Sequence, residues 1–315
     1  MITTLLAEHK PVREIARTLG RDPGTISREL ARNASPEYRL YLSHRAQGRA
    51  QQRRKAASRR PRLKDPVIRE YVRAKLALGW SPEQIAGRLR LDHAGWAISH
   101  EAIYQYLYHP QTEGRPALIR CLRRAHRRRQ PRGVGRRERK TKIPNRIPID
   151  LRPASVESRR IFGHWEGDSL ISRKSRAALN SLVERKSRLL CLTRLSQKSA
   201  AATRQAVLSR LGVLPAKARR SLTLDNGTEN TLHQEITAAI GLRCYFAHPY
   251  ASWERGTCEH TNGLIRWYLP KGTDFSTISE AQIAQVEWLL NSRPRKCLGF
   301  RTPLEVATPR VALQG

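Results

Sequence analysis

The chain has 315 residues, 60 Lys and Arg against 26 Asp and Glu, and a formal net charge of +34. That balance excludes an ordinary metabolic enzyme as the default and points to nucleic acid, a polyanion that releases condensed counterions when cationic side chains neutralise its phosphates. Hydrophobic residues at 39% can fill real cores over about two or three domains, and no long apolar run, signal peptide or basic amphipathic anchor points to a membrane.

Charge is concentrated in the first half: residues 1–150 hold 35 basic and 13 acidic side chains, against 25 and 13 in 151–315. The opening MITTLLAEHK predicts a short first helix. REIARTLGRDPGTISREL then sets Ile15, Ala16 and Leu19 on one helical face, a turn with Gly20, Asp22, Pro23 and Gly24, and Ile26 and Leu30 four residues apart. Residues 1–50 thus read as a helix-turn-helix unit. Its second helix would enter the major groove, with Arg21, Thr25, Ser27 and Arg28 facing bases or phosphates. A plain helical hairpin, whose apolar stripe is only core, is the competing reading.

A basic linker, QQRRKAASRRPRLK, occupies 51–64 and leads to a second unit at 65–114. There Ser81 suits a helix cap and Pro82 the first helical position, while Ile85, Ala86 and Leu89 repeat the earlier pattern 70 residues on. Ile98 and Ser99 answer Ile26 and Ser27, so the copies differ mainly in turn length. An internal repeat is more specific than either copy alone, and Ser99, His100 and Tyr104 are the groove candidates of the second. A further basic linker spans 115–154. From Arg115 to Arg146 it places 14 basic residues among 32 positions opposed by Glu138 alone, with Arg127, Arg128 and Arg129 at its centre. So few apolar side chains favour ordering on a phosphate backbone over independent folding, a solvated tether being the alternative. Five scattered cysteines without a C-x-x-C pair argue against a disulfide framework or zinc knuckle and suit a reducing, intracellular setting.

From about residue 155 to 315 the pattern becomes that of an α/β domain. HWEGDSLIS predicts a strand carrying Asp168; AALNSLVERKSRLLCLTRL a hairpin turning near Lys186-Ser187; SLTLDNG a short strand ending at Asp225; RCYFAHPY another stopped by Pro249. Helices are expected near 199–212, 229–240, 253–268 and 278–292. On the third of these, Asn262, Gly263 and Arg266 fall on the face of Glu259, with Leu264, Ile265 and Tyr268 opposite. Two strand-borne aspartates and a helix-borne glutamate suit magnesium or manganese, and two such ions clamp the attacking and leaving oxygens of phosphoryl transfer. Three unrelated surface acids remain the alternative from spacing alone.

HWEGDSLI, TLDNGTEN, HPYASWERGTCEHTNGLIRWYLPKGTDF and LNSRPRKCLGFRTPLEV, in this order, resemble the DDE transposases of the IS-thirty family of bacterial insertion sequences. The likeness runs from about residue 11 through nearly the whole chain. It implies a catalytic domain of RNase H-like (retroviral integrase) fold, with Asp168, Asp225 and Glu259 as the catalytic and metal-holding acids. The 33 residues between the last two match the separation such enzymes use. It also implies two Mg2+ or Mn2+ ions, double-stranded DNA as element ends and target, a homo-oligomer that brings two ends together, and a nucleoid-associated bacterial cytoplasmic protein. Asn226, Asn262, Arg266 and Lys271 would position phosphates. Two departures stand out: family members usually carry a further helical stretch before the first unit, and the usual N-E-N-T-N-G appears here as Cys258-Glu259-His260-Thr261-Asn262-Gly263. Two other functions fit parts of the pattern, a non-catalytic helix-turn-helix regulator and a metal-dependent nuclease of the same fold.

Overall fold

The computed structural model describes residues 1–34, 40–58, 63–122, 143–249 and 251–311, and the chain divides into two compact units, Met1–Lys64 and Asp65–Gly315. The smaller holds α1 (Ile2–Ala7), α2 (Val12–Thr18), α3 (Pro23–Asn33) and α4 (Ser43–Ser58). Leu5, Ile15, Ala16 and Ile26 form its core, ringed by Ile2, Leu6, Val12, Leu19 and Leu30. Gly20 makes the turn after α2 with φ +60°, where a β-carbon is strained, and the Asp22 carboxylate caps α3 by accepting from the Gly24 and Thr25 amides. The six-residue α1 is as short as expected, yet it supplies Leu5 to the core. The basic stretch at 51–64 is helical as far as Ser58, because Gln, Arg, Lys and Ala all propagate helices well. Arg49 and Arg53 tie α4 back onto Asn33.

The larger unit begins with α5 (Pro66–Ala77), α6 (Pro82–Asp92), α7 (His100–Tyr108) and α8 (Arg115–Arg120). Ser81 and Gln84 form a reciprocal capping box on α6, and Ser99 caps α7. α6 and α7 form a helical hairpin with Ile85, Leu89, Ile103 and Leu107 fully buried. It is built against the C-terminal segment. Gly79 turns with φ +78° where a β-carbon would stand 2.6 Å from the Trp267 ring, and Gly87 faces Phe300 across a gap that admits no side chain. Arg88 grips both Glu305 oxygens at 2.7 Å.

Five strands follow: β1 (His164–Ile171), β2 (Ala178–Glu184), β3 (Leu190–Leu195), β4 (Ser221–Leu224) and β5 (Arg243–Phe246). The sheet order is β3-β2-β1-β4-β5, with β1, β2 and β3 antiparallel and β4 and β5 parallel to β1. This is the RNase H-like arrangement. On one face, Trp165, Leu182 and Leu222 pack under α9 (Ala200–Leu211) and α10 (His233–Ile240). On the other, Leu170, Leu179, Val183 and Leu192 pack under α11 (Gly256–Tyr268) and α12 (Glu280–Asn291). A last helix, α13 (Pro303–Val311), carries Glu305 to Arg88. Strand alternation puts Glu166, Asp168 and Leu170 on the α11 side of β1.

Candidate active site

Parallel pairing sets the two aspartates side by side. β1 and β4 align Glu166 with Thr223, and two residues further along the same register bring Asp168 beside Asp225 at the end of β4. Each carboxylate is held. Asp168 accepts from the Ser169 amide at 2.9 Å and from Asn262 Nδ2 at 2.7 Å, while Asp225 accepts from the Gly227 amide and from Asn230 Nδ2 at 2.8 Å. Asn262 is itself fixed by the Ser181 hydroxyl at 2.9 Å.

Between the two acids lies a guanidinium. Arg255 Nη1 is 3.6 Å from Asp168 Oδ1 and Nη2 is 3.7 Å from Asp225 Oδ2, with Nη1 also donating to the Gly167 carbonyl at 3.0 Å. Burial pushes the Asp168 carboxyl above the usual carboxylate range; Arg255 opposes the shift and Asp225 adds to it. Two carboxylates aimed at one positive charge form an oxygen-rich donor set of the kind hard divalent cations take. Glu259 stands in the first turn of α11, exposed, beside a surface hollow shared with Gly256, His260 and Gly263. Among the described residues, no three His, Cys, Asp or Glu side chains gather closely enough to hold a metal ion. The structure thus brings Asp168 and Asp225 together through Arg255 and leaves Glu259 one helical turn from Asn262.

α11 is anchored by a buried charge network. The Cys258 amide, an orphan donor of the first turn, donates to Glu166 Oε2 at 2.8 Å, and Arg185 Nη1 neutralises Glu166 at 2.8 Å. Arg185 reaches on to Glu157, which also pairs with Arg152. Glu259 follows directly after the pinned amide. Cys258 points into the core, where burial pushes its thiol up, while its neighbour His260 is exposed.

The other sites expected from the sequence fall as follows. Arg21, Thr25, Ser27 and Arg28 are all exposed around the start of α3. Ser99 and His100 are exposed, although the Ser99 hydroxyl is engaged by the Ala102 amide, and Tyr104 is half-buried. Asn226 donates to the Ala247 carbonyl at 2.7 Å and accepts from Arg146. Arg266 donates to the Ile171 carbonyl and lies over the Phe275 ring; Lys271 is exposed. Arg127, Arg128 and Arg129 lie outside the described residues.

A helix-turn-helix domain profile matches residues 1–33. The transposase of insertion element IS1086 from Cupriavidus metallidurans is 42% identical over 307 residues, 95% of this chain and 89% of its own length. The InsI transposase of element IS30A from Escherichia coli is 41% identical over 316 residues, 98% and 81% respectively. The chain belongs to the IS30 family of insertion-sequence transposases. The catalytic core of BIV integrase aligns with 47% of this transposase and 95% of its own chain, at 20% identity and a TM-score of 0.39. Among the transposase's described residues, no helix is long and apolar enough to cross a membrane.

Sequence reasoning missed Arg255, Asn230, Ser181 and Glu166. Two left a signal: Arg255 is a cation immediately before the helix that carries Glu259, and Glu166 is an acid two residues from Asp168 on the same strand face. A strand acid predicted to point under a helix must find a partner there.

Proposed function

We propose that this transposase cuts and joins DNA strands at the ends of its insertion element, with Asp168, Asp225 and Glu259 as its catalytic and metal-holding acids. The observation that carries the proposal is the convergence of Asp168 and Asp225 on the Arg255 guanidinium, a stand-in for a cation between two oriented carboxylates. When bound, a pair of magnesium or manganese ions supplies neutralisation of the reacting phosphate and activation of the attacking oxygen. Asn262 and Asn230 hold the aspartate oxygens in place, and the Glu166–Arg185 pair fixes the helical turn from which Glu259 extends. Double-stranded DNA is bound at the element's terminal repeats through the first helix-turn-helix, and Asn226, Arg266, Lys271 and the arginines at 127–129 add phosphate contacts. Two ends brought together call for a homo-oligomer, working on the bacterial nucleoid.

The test incubates the protein with magnesium and DNA carrying both element ends. Asp168→Ala, Asp225→Ala and Glu259→Ala are expected to abolish cleavage and joining, a fall of more than about 1,000-fold, while DNA binding persists. Manganese titration of the DNA-free protein gives the second readout: each alanine variant binds the ion more weakly, and Arg255→Gln binds it more tightly than the parent. Undiminished joining by any acid variant would remove that residue from the site.

A further inference from the structure

On the flank of α11 turned away from Asp168, a cavity of about 240 Å³ lies among three arginines. Arg159 enters from the segment before β1, Arg188 from the β2–β3 hairpin, and Arg295 from the C-terminal segment; Thr257, His260 and Cys297 are among the other lining residues. No carboxylate lines it among the described residues. Arg188 donates to the Thr257 hydroxyl at 2.8 Å, which holds its guanidinium against the first turn of α11. Both Arg159 and Arg188 hold left-handed backbone, φ +54° and +65°, an uncommon and costly conformation for a residue with a β-carbon. Burial, and after it the neighbouring Arg188 and Arg185, pulls the Arg159 guanidinium below its ordinary value. The protein thus crowds cations around a cavity whose described lining holds no acid.

The cavity is continuous with the catalytic helix's exposed edge. Gly256 and His260 belong both to its wall and to the hollow beside Glu259. Counting 100° per residue, Arg255 and Asn262 lie to one side of Glu259 and the cavity to the other, so the helix edge separates the acids from the arginines. An α-helix is about 10–12 Å across with its side chains, so an anion in the cavity is near the reacting group without being it.

We propose that this arginine-lined cavity is a phosphate site, which receives a backbone phosphate of the DNA strand lying across Glu259, close to the phosphate that reacts. The proposal rests on the transposase reading for its ligand, but its test needs no chemistry. Cys297 is an exposed thiol on the cavity wall and reports occupancy through its alkylation rate, resolved by mass spectrometry. With EDTA present, duplex DNA carrying an element end is expected to slow Cys297 alkylation in step with the fraction bound. Arg159→Gln with Arg188→Gln is expected to abolish the protection and to lower the slope of log affinity against log salt by about 0.9, the share of a single phosphate. The paired Lys variants should retain the slope. Arg159 is exposed, so Arg159→Gln alone carries the same test where the double variant does not fold. Inorganic phosphate is run in parallel. Protection by DNA, with or without protection by phosphate, supports the site; protection by phosphate alone makes it a small-anion pocket and overturns the strand assignment. DNA that binds without slowing alkylation also overturns it, leaving the metal-dependent joining test of the acids untouched.

Discussion

The two helix-turn-helix copies share a packing stripe and differ in everything around it. In the first, Arg21, Thr25, Ser27 and Arg28 stand exposed about the start of α3, and the cap is supplied by Asp22, outside that set. In the second, α7 reads HEAIYQYLY, with neither lysine nor arginine, Ser99 is committed to the cap, and Tyr104 is half-buried. Its companion α6 is occupied too: Gln84 donates to the Pro294 carbonyl, Lys296 pairs with Glu83, and Arg88 clasps Glu305. A repeated pattern of apolar positions therefore preserves a hairpin's core while the polar side chains around it differ. One copy presents cations to solvent; the other is built into the frame of the catalytic unit.

The largest effect is expected at the first copy. Arg21→Ala and Arg28→Ala together are expected to weaken duplex binding by about 1–3 kcal/mol for each arginine removed, and to reduce the salt slope by about 1 for each one that meets a phosphate. The joining rate at saturating DNA should be unchanged, because neither residue belongs to the unit that carries the acids. Fluorescence anisotropy over a range of salt concentrations reads both quantities. Full affinity in the double variant would mean that the charged face of α3 is ordinary solvated surface.

A smaller effect is expected where the second copy meets the C-terminal segment. Arg88 is half-buried and bonds Asp92 and Glu305, both exposed, so Arg88→Ala removes a solvent-screened pair of contacts and should cost about 1 kcal/mol. For a unit of this size that lowers its melting temperature by a few degrees, with α1–α4 unaffected. The pH dependence has a definite sign. Arg88's hydrogen bonds hold the Glu305 carboxyl down to about 2, below its ordinary 4.5, so the stabilisation is complete above the ordinary value and is lost as pH falls from there toward 2. Arg88→Ala should flatten that portion of the plot of melting temperature against pH. An unaltered acid limb would separate the pair from the stability of the docked hairpin.

The parts of this architecture that were legible in sequence are those written in local periodicity. The apolar-rich, turn-bounded stretches around HWEGDSLI and AALNSLVE gave strands, and the I-A-x-x-L repeat gave both hairpins, because a helix face repeats every 3.6 residues. The aspartates could be nominated as acids on predicted strands, and the resemblance to the IS-thirty family rather than composition joined them to Glu259. What stayed hidden depends on groups distant in sequence. Arg255 reaches Asp168 only because α11 crosses β1, and Gly87 gives no sign of Phe300, far along the chain, until both have folded together. The basic stretch read as a linker at 51–64 is helical as far as Ser58, in keeping with the intrinsic preference of Gln, Arg, Lys and Ala.

The smallest predicted effect gives the sharpest test of how the two copies differ, because it concerns residues that look like DNA readers by position alone. His100 and Tyr104 occupy the places in α7 where a groove-reading helix would contact bases. If the second copy has given up that task, His100→Ala with Tyr104→Ala should change duplex affinity by no more than about threefold, roughly 0.6 kcal/mol, and leave the salt slope where it was. Ser99 is left intact in this variant, since removing the cap would cost about 1 kcal/mol of helix stability and confuse folding with binding. A fall in affinity as deep as that of the Arg21 and Arg28 variant, confined to specific duplex and absent with random sequence, would show that α7 reads bases without cationic side chains. The docking of α6 would then serve to aim a second reader, and the two copies would differ in the chemistry of contact rather than in task.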